Sequence, residues 1–305
     1  MNFTADCLPF AQPGRFYRGN LHGHSTNSDG DWRPAEVVRQ YQQNGYDFVA
    51  ITDHFLEHYD FPITDTREFR SDDFTTLIGA ELHHGTLASG DIWHLLALGL
   101  PLDFAPYREE ESAADVVSRA RQAGAFLAAA HPNWYTLTVE DIETLGPVDA
   151  VECFNANADR YNDRGDSWHF IDMLLAREQR IGAIAVDDSH MRPSRDDFLR
   201  GWVHVKSASL SPDALLQALK AGHYYSSRGP ALHHVEVTAR DRLVIECSPA
   251  VQILATGTGP MALQAVGQGL TSADFDISEF ETPWLRVTVR DEYGRRAWTN
   301  PVWLE

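Results

Sequence analysis

Histidines and carboxylates stand beside short apolar segments throughout the first two thirds of this sequence. In NLHGHS, His22 and His24 are two residues apart, so an extended chain points both to the same side. Further apolar runs begin or end in the same residue types: Asp53 and His54 in AITDH, Glu81, His83 and His84 in GAELHHG, His94 in DIWHLL, His131 in AAAHPNW, Glu152 and Asn155 in VECFNAN, and Asp187, Asp188 and His190 in AVDDSH. Residues of these types could together hold metal ions and support hydrolytic chemistry.

The donor set indicates which metals fit. Imidazole with carboxylate, and without thiolate, suits Zn²⁺, Mn²⁺ or Fe²⁺ rather than Ca²⁺. Cys7, Cys153 and Cys247 are far apart and form no CxxC pair. Two or three divalent cations bridged by a carboxylate and a water would lower the pKa of that water, so that hydroxide becomes available near neutral pH. We therefore expect a metal-dependent hydrolase that needs no serine or cysteine nucleophile.

Each motif also has a purely structural explanation, such as a surface histidine pair, a helix cap, a core histidine or a carboxylate paired with an arginine. His83 and His84 point to opposite sides of a strand, so at least one of them faces away from a site that contains Glu81. Chance explains the joint pattern poorly, because many separate strand ends would each have to carry a ligand-type residue. The pattern as a whole therefore favours one shared metal site.

The elements that would position these residues alternate along residues 1–230. Apolar strand-like segments such as 47–52 (DFVAIT) and 125–130 (AFLAAA) are separated by helix-like segments with recognisable ends. Pro34 opens one predicted helix, and Ser112 and Ser211 can cap two others. Repeated strand–helix units predict a parallel sheet or barrel, in which the C-terminal strand ends share one face.

Beyond residue 230 the helix-like segments stop. Strand-like runs such as HHVEVTA, RLVIECS and LRVTVRD alternate with turns rich in Gly, Pro and Asp. This pattern predicts a small antiparallel β domain, a β-sandwich, over residues 231–305. SSRGP (226–230) would join it to the hydrolase domain over residues 1–230.

Composition argues against several classes of protein. The formal net charge of −19 opposes binding to long nucleic acids, although bound cations could still attract a small anionic substrate. No apolar run reaches the roughly 20 residues of a membrane-spanning helix, and the N-terminal segment does not resemble a signal peptide. We expect a cytoplasmic protein that binds a small-molecule substrate and no membrane, and a homo-oligomer is left open.

The motifs resemble those of the PHP superfamily, named after polymerase and histidinol phosphatase, over residues 15–230. The block HxHSxxSDG is present as HGHSTNSDG (22–30), and the later blocks follow in family order: TDH (52–54), GAE (79–81), HLLALGL (94–100), AHP (130–132) and DxH (188–190). The layout is similar to the stand-alone branch that includes carbaryl-hydrolase-like metallohydrolases.

This resemblance implies an α/β fold, a distorted (β/α)7 barrel, with a trinuclear site. By family motif, the first metal would be held by His22, His24, Glu81 and Asp188, the second by Glu81, His94 and His131, and the third by Asp29, His54 and His190. The resemblance further implies catalytic roles for Asp188, His190 and His131, and substrate contacts from Asn155, Arg192 and Arg228.

Alternatives stay open for both fold and reaction. An amidohydrolase-type (β/α)8 barrel also begins with HxH, but its lysine-bridged version is disfavoured because Lys206 and Lys220 both follow the last ligand motif. The expected reaction is hydrolysis of a small phosphomonoester or phosphodiester, with a carbamate, carboxylester or amide as the alternative. Convergent arginines would favour phosphate, whereas aromatic walls built from Trp93, Trp134 and Tyr135 would favour a neutral ester. A non-catalytic binding module would require missing ligands, and every assigned position is filled.

Overall fold

The computed structural model describes residues 4, 5, 8–238 and 241–304. Cys7 lies outside the described residues, and Cys153 and Cys247 are buried free thiols. The α-helices are α1 (Pro34–Gln43), α2 (Ala113–Gln122), α3 (Val139–Leu145), α4 (Ala156–Asn162), α5 (Trp168–Ala176) and α6 (Pro212–Lys220). In the part of the chain that is described, no helix combines the length and the apolar character needed to cross a membrane.

The strands of the first 230 residues are β1 (Arg15–Asn20), β2 (Phe48–Ile51), β3 (His54–Phe55), β4 (Thr75–Leu82), β5 (Leu95–Leu98), β6 (Phe126–Ala129), β7 (Ala150–Asn155), β8 (Gly182–Val186), β9 (Trp202–Ser207) and β10 (Tyr224–Ser227). The later strands are β11 (Leu232–Thr238), β12 (Arg242–Thr256), β13 (Ala262–Asp276), β14 (Trp284–Arg290), β15 (Arg296–Thr299) and β16 (Val302–Trp303).

Helix starts follow the predicted capping residues. Pro34 is the first residue of α1. In α2 the Ser112 hydroxyl accepts a hydrogen bond from the backbone N–H of Asp115, whose carboxylate accepts one from the Ser112 N–H, which is a capping box. Ser211 caps α6 in the same position, by accepting from the N–H of Ala214.

The sheet is mixed, whereas the sequence predicts a parallel one. The pairs β1–β2, β2–β4, β6–β7 and β7–β8 are parallel, but β5 is antiparallel to both β4 and β6, and β9 is antiparallel to β1. The strand order is β11-β12-β14-β15-β10-β9-β1-β2-β4-β5-β6-β7-β8, with β13 beside β12, β16 beside β14 and β3 beside β4. Although β8 contacts β9 and β10, no ladder among the described residues joins it to them. The predicted (β/α)7 barrel is therefore not confirmed, because the sheet is not closed.

Side chains fill the gap along the free edge of β8, which we call the β8 seam. Alternate backbone N–H groups of β8 and the next residue donate to side-chain oxygens: Ala183 to Asn300 at 2.9 Å, Ala185 to Ser226 at 3.0 Å and Asp187 to Asn20 at 2.9 Å. Burying an unpaired N–H costs about as much free energy as a lost hydrogen bond. The three side chains thus replace a neighbouring strand, which explains how the sheet stays open without unpaired donors at these positions.

The C-terminal strands are antiparallel, as predicted, but they continue the same sheet. β15 pairs with β10, which pairs in turn with β9. The hydrogen-bonded ladder therefore crosses the expected junction near residue 230, and a separate β-sandwich is not confirmed. These strands pack around an apolar core of their own that includes Ile245, Ile253 and Val287. The division into residues 1–230 and 231–305 stays a prediction.

Candidate metal centre

The segments that follow β1 and β8 meet at one end of the sheet. The Asp188 N–H donates to the His22 carbonyl at 2.9 Å, and the His24 N–H donates to the Ser189 carbonyl at 2.9 Å. Asp188 has a φ of 53° and His131 a φ of 25°, in a region that residues other than glycine seldom adopt. Such backbone persists only where surrounding contacts hold it, and it clusters at functional sites.

His22, His24 and Asp188 form the first group of potential ligands. The Nε2 atoms of the two histidines are 3.3 Å apart and lie 3.2 and 3.0 Å from Asp188 Oδ1. Oε2 of Glu81 lies 3.6 and 3.7 Å from the same two nitrogens. All four residues are buried, so their polar atoms face one another rather than solvent.

Glu81 joins a second group with His94 and His131. Its Oε1 lies 2.9 Å from His94 Nδ1 and 3.1 Å from His131 Nε2. Because β5 runs antiparallel to β4 and β6, its beginning lies at the same edge as their ends. His94, which precedes β5, therefore reaches Glu81 at the end of β4 and His131 just after β6. The antiparallel strand that departs from the predicted barrel is what places His94 at the site.

Asp29, His54 and His190 form a third group. Oδ1 of Asp29 lies 3.2 Å from Nε2 of each histidine. The His24 ring lies between the two others, with its centroid 4.2 Å from each. His24 thus belongs to the first and third groups, so the groups overlap in one cluster.

The geometry of these atoms fits divalent cations. The donor atoms of each group lie within 4.8 Å of one another. Two ligands that bind one ion at about 2.1 Å in a tetrahedral arrangement are about 3.4 Å apart, close to the separations seen here. Glu81 Oε2 and Asp29 Oδ1 are buried without a hydrogen-bond partner, which is costly for a carboxylate unless a cation satisfies it. The cluster can therefore hold several divalent metal ions.

Burial and neighbouring charges shift the pKa values in the cluster in different directions. Burial lowers the pKa of His94 to about 3. Burial would also lower the pKa of His54, but the Glu81 and Asp29 carboxylates outweigh it and raise this pKa to about 10. Burial would raise the pKa of Asp188, yet the neighbouring histidines hold it below its usual range. At neutral pH the carboxylates are ionised and ready to ligate, whereas His54 must lose a proton first.

A buried carboxylate behind the cluster orients two of its histidines. Glu152 accepts hydrogen bonds from Nδ1–H of His22 at 2.7 Å and from the backbone N–H of His131 at 2.6 Å. This arrangement turns Nε2 of His22 toward Glu81 and Asp188. Orienting a potential ligand in this way is the usual task of such a partner. The sequence offered an arginine partner for Glu152 as one explanation and missed this role.

Asp53 holds the loop between His24 and Asp29. Its carboxylate accepts hydrogen bonds from the backbone N–H and hydroxyl of Ser25 at 2.7 Å each, from the Ser28 hydroxyl at 2.7 Å and from the hydroxyl of Thr64. Because these donors occupy its oxygens, Asp53 holds the loop, and His54 is the potential ligand that the TDH motif contributes.

Of the two adjacent histidines, His83 faces the cluster and His84 faces away. His83 Nε2 lies 3.2 Å from Glu81 Oε2 and 2.8 Å from His54 Nδ1. His84 Nε2 bonds instead to the carbonyl of Glu111 at 2.6 Å. The expectation that at least one of the pair faces away is confirmed. Strand alternation puts Glu81 and His83 on one side, and this signal would have added His83 to the predicted site.

A cavity of about 350 Å³ opens onto the cluster. Seven of the predicted ligands line it: Asp29, His54, Glu81, His94, His131, Asp188 and His190. The rest of its lining consists of Trp134, Tyr135, Asn157, Tyr161, Arg192 and Arg195. Both arginines and aromatic rings therefore face the space where a substrate would bind.

The three predicted substrate contacts lie in different places. Arg192 lines the cavity, and its Nη2 donates to Asp29 Oδ2 at 2.9 Å. Asn155 is buried at the end of β7, where its Oδ1 accepts from the N–H of Ala158 and caps α4. Arg228 does not belong to the described lining of the cavity. Substrate binding by these three residues stays a prediction. Arg195, which the sequence analysis did not single out, lines the cavity, whereas Asn155 and Arg228 are not part of its described lining.

Solved structures share this fold although their sequences have diverged widely. No family model matches this sequence, and no curated protein matches it. A two-domain protein from Bacteroides vulgatus, containing a predicted PHP-like metal-dependent phosphoesterase, aligns with 92% of this chain and 93% of its own at a TM-score of 0.57 and 15% identity. The chain has the fold of this PHP-like protein. This PHP-like fold is the one that the motifs indicate, and the likeness to the carbaryl-hydrolase branch stays a prediction.

Two further structures resemble this chain more loosely. A protein from Bifidobacterium adolescentis, proposed to be a metal-dependent phosphoesterase, aligns with 66% of this chain and 94% of its own at a TM-score of 0.43 and 16% identity. An amidohydrolase from Chromobacterium violaceum, with bound sulfate and no metal, aligns with 58% of this chain and 89% of its own at a TM-score of 0.41 and 14% identity. At these TM-scores the likeness is too loose to support a conclusion.

Proposed function

We propose that this chain is a metal-dependent hydrolase that acts on a small phosphomonoester or phosphodiester. The Bacteroides vulgatus protein of the same fold contains a predicted metal-dependent phosphoesterase, and the cavity here opens onto overlapping groups of metal-type donors. A volume of about 350 Å³ is at the lower end of the range for small-molecule sites. The net charge of −19 further disfavours long nucleic acids as substrates.

The observation that carries the choice of a phosphate ester is that Arg195 lines the cavity without an ion pair to any described carboxylate. Its guanidinium lines the cavity, donates to the side-chain oxygen of Asn157 and lies 4.7 Å from the centre of the Tyr161 ring. No carboxylate of the described residues forms an ion pair with it, although the chain has 44 acidic residues and only 25 lysines and arginines. An oriented arginine without a direct ion pair, beside a cation cluster, is suited to bind the oxygens of an anionic substrate.

Some residues of the site would bind the phosphate group, and others would align the reacting phosphorus. Arg195 and Arg192 would bind the non-bridging phosphate oxygens, and Arg192 is already oriented by Asp29. Asp188, His131 and His190, the proposed catalytic residues, line the cavity and would define where the reacting phosphorus lies. When bound, two or three Mn²⁺, Zn²⁺ or Fe²⁺ ions supply Lewis acidity that activates water and neutralises the charge developing on the phosphate.

Aromatic side chains support a second candidate, hydrolysis of a carbamate, carboxylester or amide. Trp134 and Tyr161 stack with their ring centroids 5.3 Å apart, and the Tyr135 ring lies 4.7 Å from that of His94. All three aromatic residues line the cavity, so they could contact an apolar ester. Trp93, also expected in such a wall, is buried in the core instead.

A panel of p-nitrophenyl substrates separates the two candidates, because the leaving group stays constant while the reacting centre changes. We expect the chain loaded with Mn²⁺ to hydrolyse p-nitrophenyl phosphate or bis(p-nitrophenyl) phosphate with a higher kcat/KM than p-nitrophenyl acetate or an N-methylcarbamate. Activity should disappear with a chelator and return with Mn²⁺. Turnover of the acetate or carbamate alone would establish the second candidate, and absence of both turnover and metal binding would contradict each of them.

A further inference from the structure

The Nδ1 atom of His54 has two neighbours that could accept its hydrogen. Glu81 Oε2 lies at 2.7 Å and His83 Nε2 at 2.8 Å. The His54–His83 pair has the geometry of a hydrogen bond, whereas Glu81 Oε2 has no hydrogen-bond partner despite its shorter distance. A hydrogen carried by His54 Nδ1 is therefore better placed to bond to His83 Nε2 than to the carboxylate.

This choice of acceptor affects how His54 and Glu81 can bind cations. Nε2 of His54 faces Asp29 Oδ1 at 3.2 Å, so ligation there requires the remaining ring hydrogen to sit on Nδ1. A ligating histidine commonly donates this second N–H to an acceptor that fixes its tautomer and orientation. If Glu81 were that acceptor, the hydrogen would occupy one of the two lone pairs of Oε2 and compete with a cation for that oxygen.

We propose that His83 is a positioning residue whose Nε2 accepts the Nδ1–H of His54. His54 then presents Nε2 to a cation beside Asp29, and Glu81 keeps both carboxylate oxygens for cations. His83 is itself held in place, since it is buried and its backbone N–H donates to the Tyr107 hydroxyl at 2.6 Å. The inference rests on the metal centre of the proposed function. His83 Nε2 also lies within ligand range of His54 and Glu81, and the proposal assigns it the role of hydrogen-bond acceptor rather than ligand.

Three variants test this role. His83→Met removes the acceptor and keeps side-chain length. His83→Gln restores an acceptor oxygen at about the same reach. His84→Met replaces the neighbouring histidine by methionine. His84 is a matched control because it is the adjacent histidine and its ring packs against Tyr107, with the centroids 4.6 Å apart, but takes no part in the cluster. The measurements are Mn²⁺ bound per chain at fixed free Mn²⁺ and the melting temperature in excess chelator.

We expect His83→Met to need about 10- to 100-fold more free Mn²⁺ to fill its weakest site, the loss typical of removing an outer partner of a metal ligand. His83→Gln and His84→Met should bind Mn²⁺ like the unaltered chain, and all metal-free variants should melt together. The proposal would be overturned if His83→Met and His83→Gln lost Mn²⁺ affinity equally, or if His83→Met bound Mn²⁺ like the unaltered chain. A lower melting temperature of metal-free His83→Met would also overturn it. Because Mn²⁺ binding is measured without substrate, failure of the proposed reaction would be seen separately.

Discussion

Replacing Arg195 by methionine should weaken recognition of the substrate phosphate while leaving the metal cluster intact. A hydrogen bond to a charged group contributes about 1.5–3 kcal/mol. Arg195 is partly exposed, so solvent screens it and the lower value applies. A loss of about 1.5 kcal/mol corresponds to a decrease of about tenfold in kcat/KM for a phosphomonoester. The inhibition constant of inorganic phosphate should rise by a similar factor, because phosphate would use the same contact.

The assay compares Arg195→Met with Arg160→Met, using p-nitrophenyl phosphate and competing inorganic phosphate. Arg160 suits as a control because it lies outside the described cavity lining and pairs with Asp159 and Asp196 on the surface. Arg195→Lys should recover part of the loss, since it keeps the charge without the planar fork. Equal kinetics of Arg195→Met and Arg160→Met, or an unchanged inhibition constant for phosphate, would refute the assignment of Arg195 to the anion.

Three more predictions concern the metal, pH and the β8 seam. Asp188→Asn keeps the side-chain size, and asparagine tolerates the φ of 53°, so the variant should remain folded. It should lose bound metal and activity together, as elemental analysis and kinetics would show. Full metal content would contradict the ligand role. Because the pKa of His54 is raised to about 10 without metal, it is protonated at pH 7 and loses a proton on ligation, so Mn²⁺ affinity should rise with pH from 7 to 9. Calorimetry in buffers of different ionisation enthalpy should detect this proton, and heats independent of the buffer would argue against it. Asn300→Leu removes the hydrogen bonds of Asn300 to the Ala183 N–H and to the Gly222 and Tyr224 carbonyls, and it should lower the free energy of unfolding in urea by about 3 kcal/mol. Asn44→Leu, which removes one exposed hydrogen bond to the Gln40 carbonyl, should lower it by less than about 1 kcal/mol.

The sequence predicts the site better than it predicts the sheet. Period-two alternation places His22 and His24 on one side, and residues beside strand ends supply Glu81, His131 and Asp188, because these patterns depend only on local geometry. The structure brings all five into one cluster. The direction of β5 was missed although segment 83–94 (HHGTLASGDIWH) contains turn residues and no helix. Parallel neighbours need a long crossover, usually helical, so this segment already favoured an antiparallel pair.

Other features depend on contacts between distant parts of the chain and leave no local signal. Asn20, Ser226 and Asn300 resemble ordinary polar residues near strand ends, and nothing around them shows that they complete the edge of β8. Arg195 and Arg228 both stand in loop sequences, yet the fold brings only the first to the cavity lining. The path of a loop depends on the packing of the elements it joins, which sequence spacing does not reveal.

We expect the β8 seam to affect the order of folding events during biosynthesis. The hydrogen bond from Ala183 to Asn300 spans 117 positions, so its acceptor leaves the ribosome long after β8 has emerged. Asp188 and His190 follow β8 directly, and we expect them to adopt their final positions only after Asn300 has been synthesised. Cation uptake would then be a post-translational step, and nascent chains that terminate before residue 300 would reach the cell without a matured centre.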